Sequence, residues 1–152
     1  MALFQQLMNI LKSPPPDRGP EDIKTAVAML LIEAAHRDDT FSADERAVIA
    51  RLLSGKFALS DQECAELLSA CEEMSARTVQ LHPYTRAIFD RMDPAERIHL
   101  IEMLWEVAYA DGVLDPEEDA LIRRLGGLIY VTDRDRVLAR HRVLERLKRA
   151  SQ

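Results

Sequence analysis

The sequence predicts an all-α fold: a compact helical domain built from two pseudosymmetric copies of a three-helix unit, plus a short N-terminal amphipathic helix. Three observations carry that reading. Residues 28–53 (AMLLIEAAHRDDTFSADERAVIARLL) align without a gap on residues 101–126 (IEMLWEVAYADGVLDPEEDALIRRLG) at a constant offset of 73. The pairs Leu31/Leu104, Glu33/Glu106, Ala35/Ala108, Asp38/Asp111, Glu45/Glu118 and Ile49/Ile122 are identical, and a repeat of this length marks duplicated units that bury their apolar faces together. Helix-capping signatures open successive apolar segments, and no stretch shows sustained period-two alternation between turns.

Taken in order, residues 1–12 carry Leu3, Phe4, Leu7, Met8 and Leu11 at helical spacing. Residues 13–20 (SPPPDRGP) cannot be helical, because consecutive prolines remove donors and fix φ, so they read as a linker. The main domain spans 21–152, with repeats at about 21–81 and 94–149. Its first helix is expected from Glu21 to Asp38. Ser42-Ala43-Asp44-Glu45 is a capping box that opens the second, ending at Ser54-Gly55, and Ser60-Asp61-Gln62-Glu63 opens the third, running towards Leu81. His82-Pro83 is expected to break the chain between copies. Asp93-Pro94 then starts a helix to Ala110, with proline at its first position. Asp115-Pro116-Glu117-Glu118 starts the next, expected to stop at Gly126-Gly127, and Thr132-Asp133-Arg134-Asp135 starts the last.

Composition narrows the function classes. A chain of 152 residues, 47% apolar and 30% charged, suits one ordinary globular domain. A formal charge of −6 opposes general nucleic-acid binding, which depends on neutralising phosphates, and 5% aromatics leave little for base stacking. No apolar run approaches the roughly 20 residues that cross a bilayer, and no secretory signal is visible, so a cytoplasmic location is the expectation. Cys64 and Cys71 are seven residues apart on one helix, about 10 Å along its axis, which is too far for a mutual disulfide. They read as two half-buried small hydrophobes.

The turns between the repeated helices hold the candidate site residues. They are Asp38 and Glu45 in the first copy, and Asp111, Asp115 and Glu118 in the second. At 100° per residue Asp111 falls within about 20° of Leu104, on the core-facing axis, and Asp38 stands likewise to Leu31. A carboxylate at a helix C-terminus meets the negative end of the dipole, so something must compensate. Two readings stay open: hydrogen bonds from neighbouring helix N–H groups, or a divalent cation held with Glu45 or Glu118. Oxygen-only ligation would favour Ca²⁺ or Mg²⁺. An ordinary EF-hand is excluded, because its first and third ligand positions would fall on Val107 and Tyr109, or on Ala34 and His36. Gly112 sits where a helix ends with a left-handed residue. Glu33 and Glu106 point about 160° from the apolar axis and read as solvated.

No phosphate loop, nucleophile elbow or zinc-ligand spacing appears among the histidines, serines and cysteines, so a non-enzymatic role is expected. Arg134–Arg149 is strongly basic and reads mainly as a solvated face. A protein partner or self-association is expected, with peripheral contact to a membrane as a further option and no nucleic acid. The N-terminal stripe is too short to be stable alone in water, and it suits docking on its own domain or tethering to a protein groove.

Leu-Leu-x-x-x-Ala-x-x-Asp-(Gly/Asp) followed by an acidic capped helix, present at Leu30–Glu45 and again at Met103–Glu118, resembles the TerB-like family. That family includes the tellurite-resistance TerB proteins and the N-terminal region of DjlA co-chaperones, and the likeness covers roughly Glu21–Arg149. It implies a helical domain of two pseudosymmetric halves, an acidic metal-associated surface and a role in stress response or assembly near the membrane. The chain lacks the J domain of the co-chaperones, and His82-Pro83-Tyr84 does not supply its His-Pro-Asp signature. Co-chaperone activity is therefore not carried over.

Overall fold

A computed structural model describes residues 22–35, 42–77, 80–110, 112 and 114–151. The expected N-terminal helix (1–12), the linker (13–20) and much of both acidic turns lie outside them. The described residues form seven α-helices: α1 Ile23–Ala35, α2 Ala43–Phe57, α3 Asp61–Arg77, α4 His82–Arg91, α5 Pro94–Ala108, α6 Pro116–Leu128 and α7 Asp133–Ala150. None of these helices is long and apolar enough to cross a membrane.

α1 and α5 form the centre. In α1 Ala26 to Ile32, Ala34 and Ala35 are buried, and in α5 Leu100 to Trp105, Val107 and Ala108 are buried. A helix apolar on nearly every side is stable only when covered on nearly every side. α1 is packed by α2, α3, α4 and α6, α5 by α2, α6 and α7, and the two lie against each other.

Most helix starts are where the capping residues put them. Ser42 Oγ accepts from Glu45 N–H at 3.1 Å while Glu45 Oε1 accepts from Ser42 N–H at 2.8 Å. Ser60 and Glu63 repeat the exchange at 3.1 and 2.9 Å, as do Asp93 and Glu96 at 2.8 and 3.2 Å. Each satisfies two backbone donors that the helix itself cannot. α1 also has a cap, since Asp22 Oδ1 accepts from Lys24 N–H at 3.0 Å.

One pair of helix starts and two pairs of buried residues keep the offset of the sequence repeat. α2 begins at Ala43 and α6 at Pro116, the offset of the sequence repeat. Leu31 and Leu104, and Ile49 and Ile122, are all fully buried.

Three expectations about breaks are corrected. α2 does not end at Ser54-Gly55 but runs to Phe57, where Ala58 at φ +53° ends it and Leu59 N–H donates to Ser54 O at 3.2 Å. His82-Pro83 opens a helix instead of ending one, with proline in the first turn of α4. Pro83 lacks only a donor that the first turn would leave unused, and Tyr84, Thr85, Ala87 and Ile88 are buried in an element that packs on α1. Gly126-Gly127 does not stop α6, which continues to Leu128. The stop is made by the backbone: Val131 N–H donates to Gly126 O at 2.9 Å and Tyr130 N–H to Gly127 O at 3.3 Å. This is the Schellman pattern, with Tyr130 at φ +60° in the place glycine usually takes.

Candidate functional site

The acidic turns place their described carboxylates in the first turns of α2 and α6. Glu45 is 7% exposed and Glu118 2% exposed, at positions 73 residues apart in the repeat. Glu45 is engaged in its capping box. Asp115 is the N-cap of α6, its Oδ1 accepting from Glu117 N–H at 2.7 Å. Gly112 adopts φ +83° as the helix-end reading expects, and its N–H donates to Tyr109 O at 2.9 Å. Asp38 and Asp111 lie outside the described residues. Among the described residues no group of three or more His, Cys, Asp or Glu is placed to hold a metal ion.

A second polar cluster sits on the opposite side of α5 from its apolar axis, and here the reading of Glu106 as solvated is corrected. Its side chain is 13% exposed, with Oε2 accepting from Arg51 Nη2 of α2 and Oε1 from Arg146 Nη2 of α7, both at 2.9 Å. Glu102, one turn earlier, accepts from Arg146 Nη1 at 2.6 Å and Arg142 Nε at 3.3 Å. Burial works to lower the Arg146 pKa, but Glu102 and Glu106 outweigh it and hold it above its ordinary value. A helical wheel measures each residue against its own helix's apolar axis. α5 is central, so α2 and α7 cover the face that the wheel assigns to water.

The basic stretch is therefore divided. Arg136 is 8% exposed. Arg140 Nε donates to Tyr109 Oη at 2.8 Å, its guanidinium 5.5 Å from the centre of the Trp105 ring. Arg134, Lys148 and Arg149 are exposed. The overlooked signal was two matched pairs at i, i+4: Glu102/Glu106 on one helix and Arg142/Arg146 on another.

Elsewhere, a cleft of about 420 Å³ is lined by His82, Thr85, Arg86, Phe89, Asp90 and Tyr130, among others. The Phe89 ring lies 4.6 Å from that of Tyr130, with the Arg97 guanidinium 4.8 Å from its centre. Arg97 Nη1 also donates to Ile129 O at 2.9 Å. The stack ties α4 and α5 to the turn after α6.

Among the curated proteins and the solved structures, nothing matches the chain. The family described as tellurite resistance protein TerB matches residues 24–141, which takes in both copies of the acidic turn and all three helices of the first copy. With seven described helices, two equivalently buried glutamates and a match over most of its length, the chain belongs to the TerB family.

Proposed function

We propose that this TerB-family protein is a non-enzymatic, cytoplasmic stress-response protein that acts by binding, with a divalent cation as ligand of its acidic interhelical turns. The observation that supports this is the pair of buried carboxylates, Glu45 and Glu118. Away from bulk water a carboxylate attracts a cation more strongly, and here the arrangement recurs at one place in both copies. Asp111, Asp115 and Glu118 would supply oxygens in the second turn, and Asp38 and Glu45 in the first. The chemistry of that donor set favours Ca²⁺ or Mg²⁺. The second turn is the stronger candidate, since Gly112 at φ +83° lets backbone approach closely, whereas Glu45 is held in its cap.

Calorimetric titration of chelator-treated protein with Ca²⁺, Mg²⁺ and Mn²⁺ tests this. Binding to the native state alone raises stability by about 2.7 kcal/mol at a ligand concentration 100 times Kd. Asp111→Asn and Glu118→Gln should abolish the rise. A melting temperature indifferent to these ions in wild type and variants alike would overturn the cation reading. It would leave a second one, a ligand-free interaction module tethered through residues 1–12, which the capping roles of Glu45 and Asp115 favour.

A further inference from the structure

The two copies end in helices of opposite charge. α3 carries Asp61, Glu63, Glu66, Glu72 and Glu73 against Arg77 alone, a net −4. α7 carries seven Lys or Arg against Asp133, Asp135 and Glu145, a net +4. The capping residues Ser60 and Thr132 that open them are 72 residues apart, so they are the third helices of their respective copies. They also lie on different flanks. α3 packs on α1 and α2, α7 packs on α5 and α6, and α1 packs on α5. The helices thus follow one another as α3, α1, α5, α7, with an acidic helix at one end and a basic helix at the other.

We infer that the exposed face of α7 docks on the exposed face of α3 of a second copy of this chain, head to tail. The outer face of α7 is not wholly solvated in character: Val137 and Leu138 are each 41% exposed, and Leu144 is 36% exposed. Beside Leu138 runs a groove of about 410 Å³ lined also by His141, Arg142, Glu145, Arg146 and Arg149. Lys148 and Arg149 are exposed in the last turn of α7, whereas Arg142 and Arg146 are held by Glu102 and Glu106. On α3 Glu66 and Glu73 are exposed, with the small exposed residues Ser69 and Ala70 between them, so the partner helix can approach closely. Opposite charges select a partner more than they supply affinity, and the apolar residues of α7 supply contact area. Because donor and acceptor surfaces are different patches on different flanks, the contact is heterologous and leads to rings or open chains of molecules rather than a two-fold dimer.

Sedimentation velocity of the full chain over a wide concentration range reads this directly. Wild type should associate with concentration, and the association should weaken at 1 M salt, where screening acts within about 3 Å. Two charge reversals then separate this contact from any other. Lys148→Glu with Arg149→Glu, and Glu66→Lys with Glu73→Lys, should each weaken self-association about tenfold or more. An equimolar mixture of the two variants should associate again, since each then presents the complement of the other. All four positions are exposed, and helical circular dichroism checks that each variant is folded. A wild type that stays monomeric throughout, salt-independent association, or reversals that associate as wild type does would each overturn the contact.

Discussion

Cys71 shows how far one side chain's chemistry depends on its surroundings. It is fully buried, and burial, with a smaller contribution from the negative charge of Asp22, pushes its thiol up to about 12. The sequence marked it as a half-buried small hydrophobe, and its environment goes further: the thiolate, which is the reactive form, is strongly disfavoured. A raised acid pKa in the folded state stabilises the native protein fully below the unfolded value. That stability is lost as pH climbs from about 9 towards 12, because the unfolded chain has released a proton that the native chain still holds. The loss is about 1.4 kcal/mol per pH unit inside that window. Cys71→Ala should therefore be less stable than wild type at neutral pH through lost packing, with the gap narrowing above about pH 9. Urea midpoints of both proteins at neutral and alkaline pH measure it; a gap that does not narrow would contradict the assignment.

At the scale of elements, caps were legible in the sequence and stops were not. Ser42, Ser60, Asp93 and Thr132 act on N–H groups three residues away, so the local sequence contains the whole interaction. The end of α6 is made by backbone hydrogen bonds from Tyr130 and Val131, with Tyr130, a residue type that gives no stop signal, in the left-handed position. A Cβ at Gly126 would lie 3.5 Å from Arg136 Cδ and 3.7 Å from Ile101 Cδ1, ordinary contact distances. The glycine is neither a stop nor sterically required, and it leaves the unfolded chain more freedom than alanine would. Gly126→Ala should stabilise the protein by about 0.4–1 kcal/mol. A thermal melt showing destabilisation would mean that α5 and α7 cannot yield even a few tenths of an ångström there.

For the whole molecule, the contact of α1 with α5 joins the copies through their most apolar helices. The buried apolar residues of both copies form one continuous cluster, so unfolding should be one cooperative transition. Trp105 is the only tryptophan and is fully buried in the second copy, so its fluorescence reports that half, while far-ultraviolet circular dichroism reports both. The two signals should coincide in urea. Leu31→Ala, in the first copy, should cost about 2–5 kcal/mol and move the Trp105 transition by the same amount. A Trp105 midpoint unmoved by Leu31→Ala would mean that the copies are separate folding units.

The sequence alone determined the helical class, most helix starts and the core positions. All of these follow from period and capping, which act over a few residues. Ile49 and Ile122 are buried because a stripe recurring every 3.6 residues has only one face to hide, and Leu31 and Leu104 are buried because their helices are apolar on nearly every side. Tertiary structure decided the rest. His82-Pro83 became the start of α4 because α1 had an uncovered side to offer Tyr84 and Ile88. Glu106 left water because Arg51 and Arg146 come from helices 55 and 40 residues away in sequence. A wheel drawn on one helix cannot contain a charge brought by another, and the folding of α2 and α7 against α5 brings both.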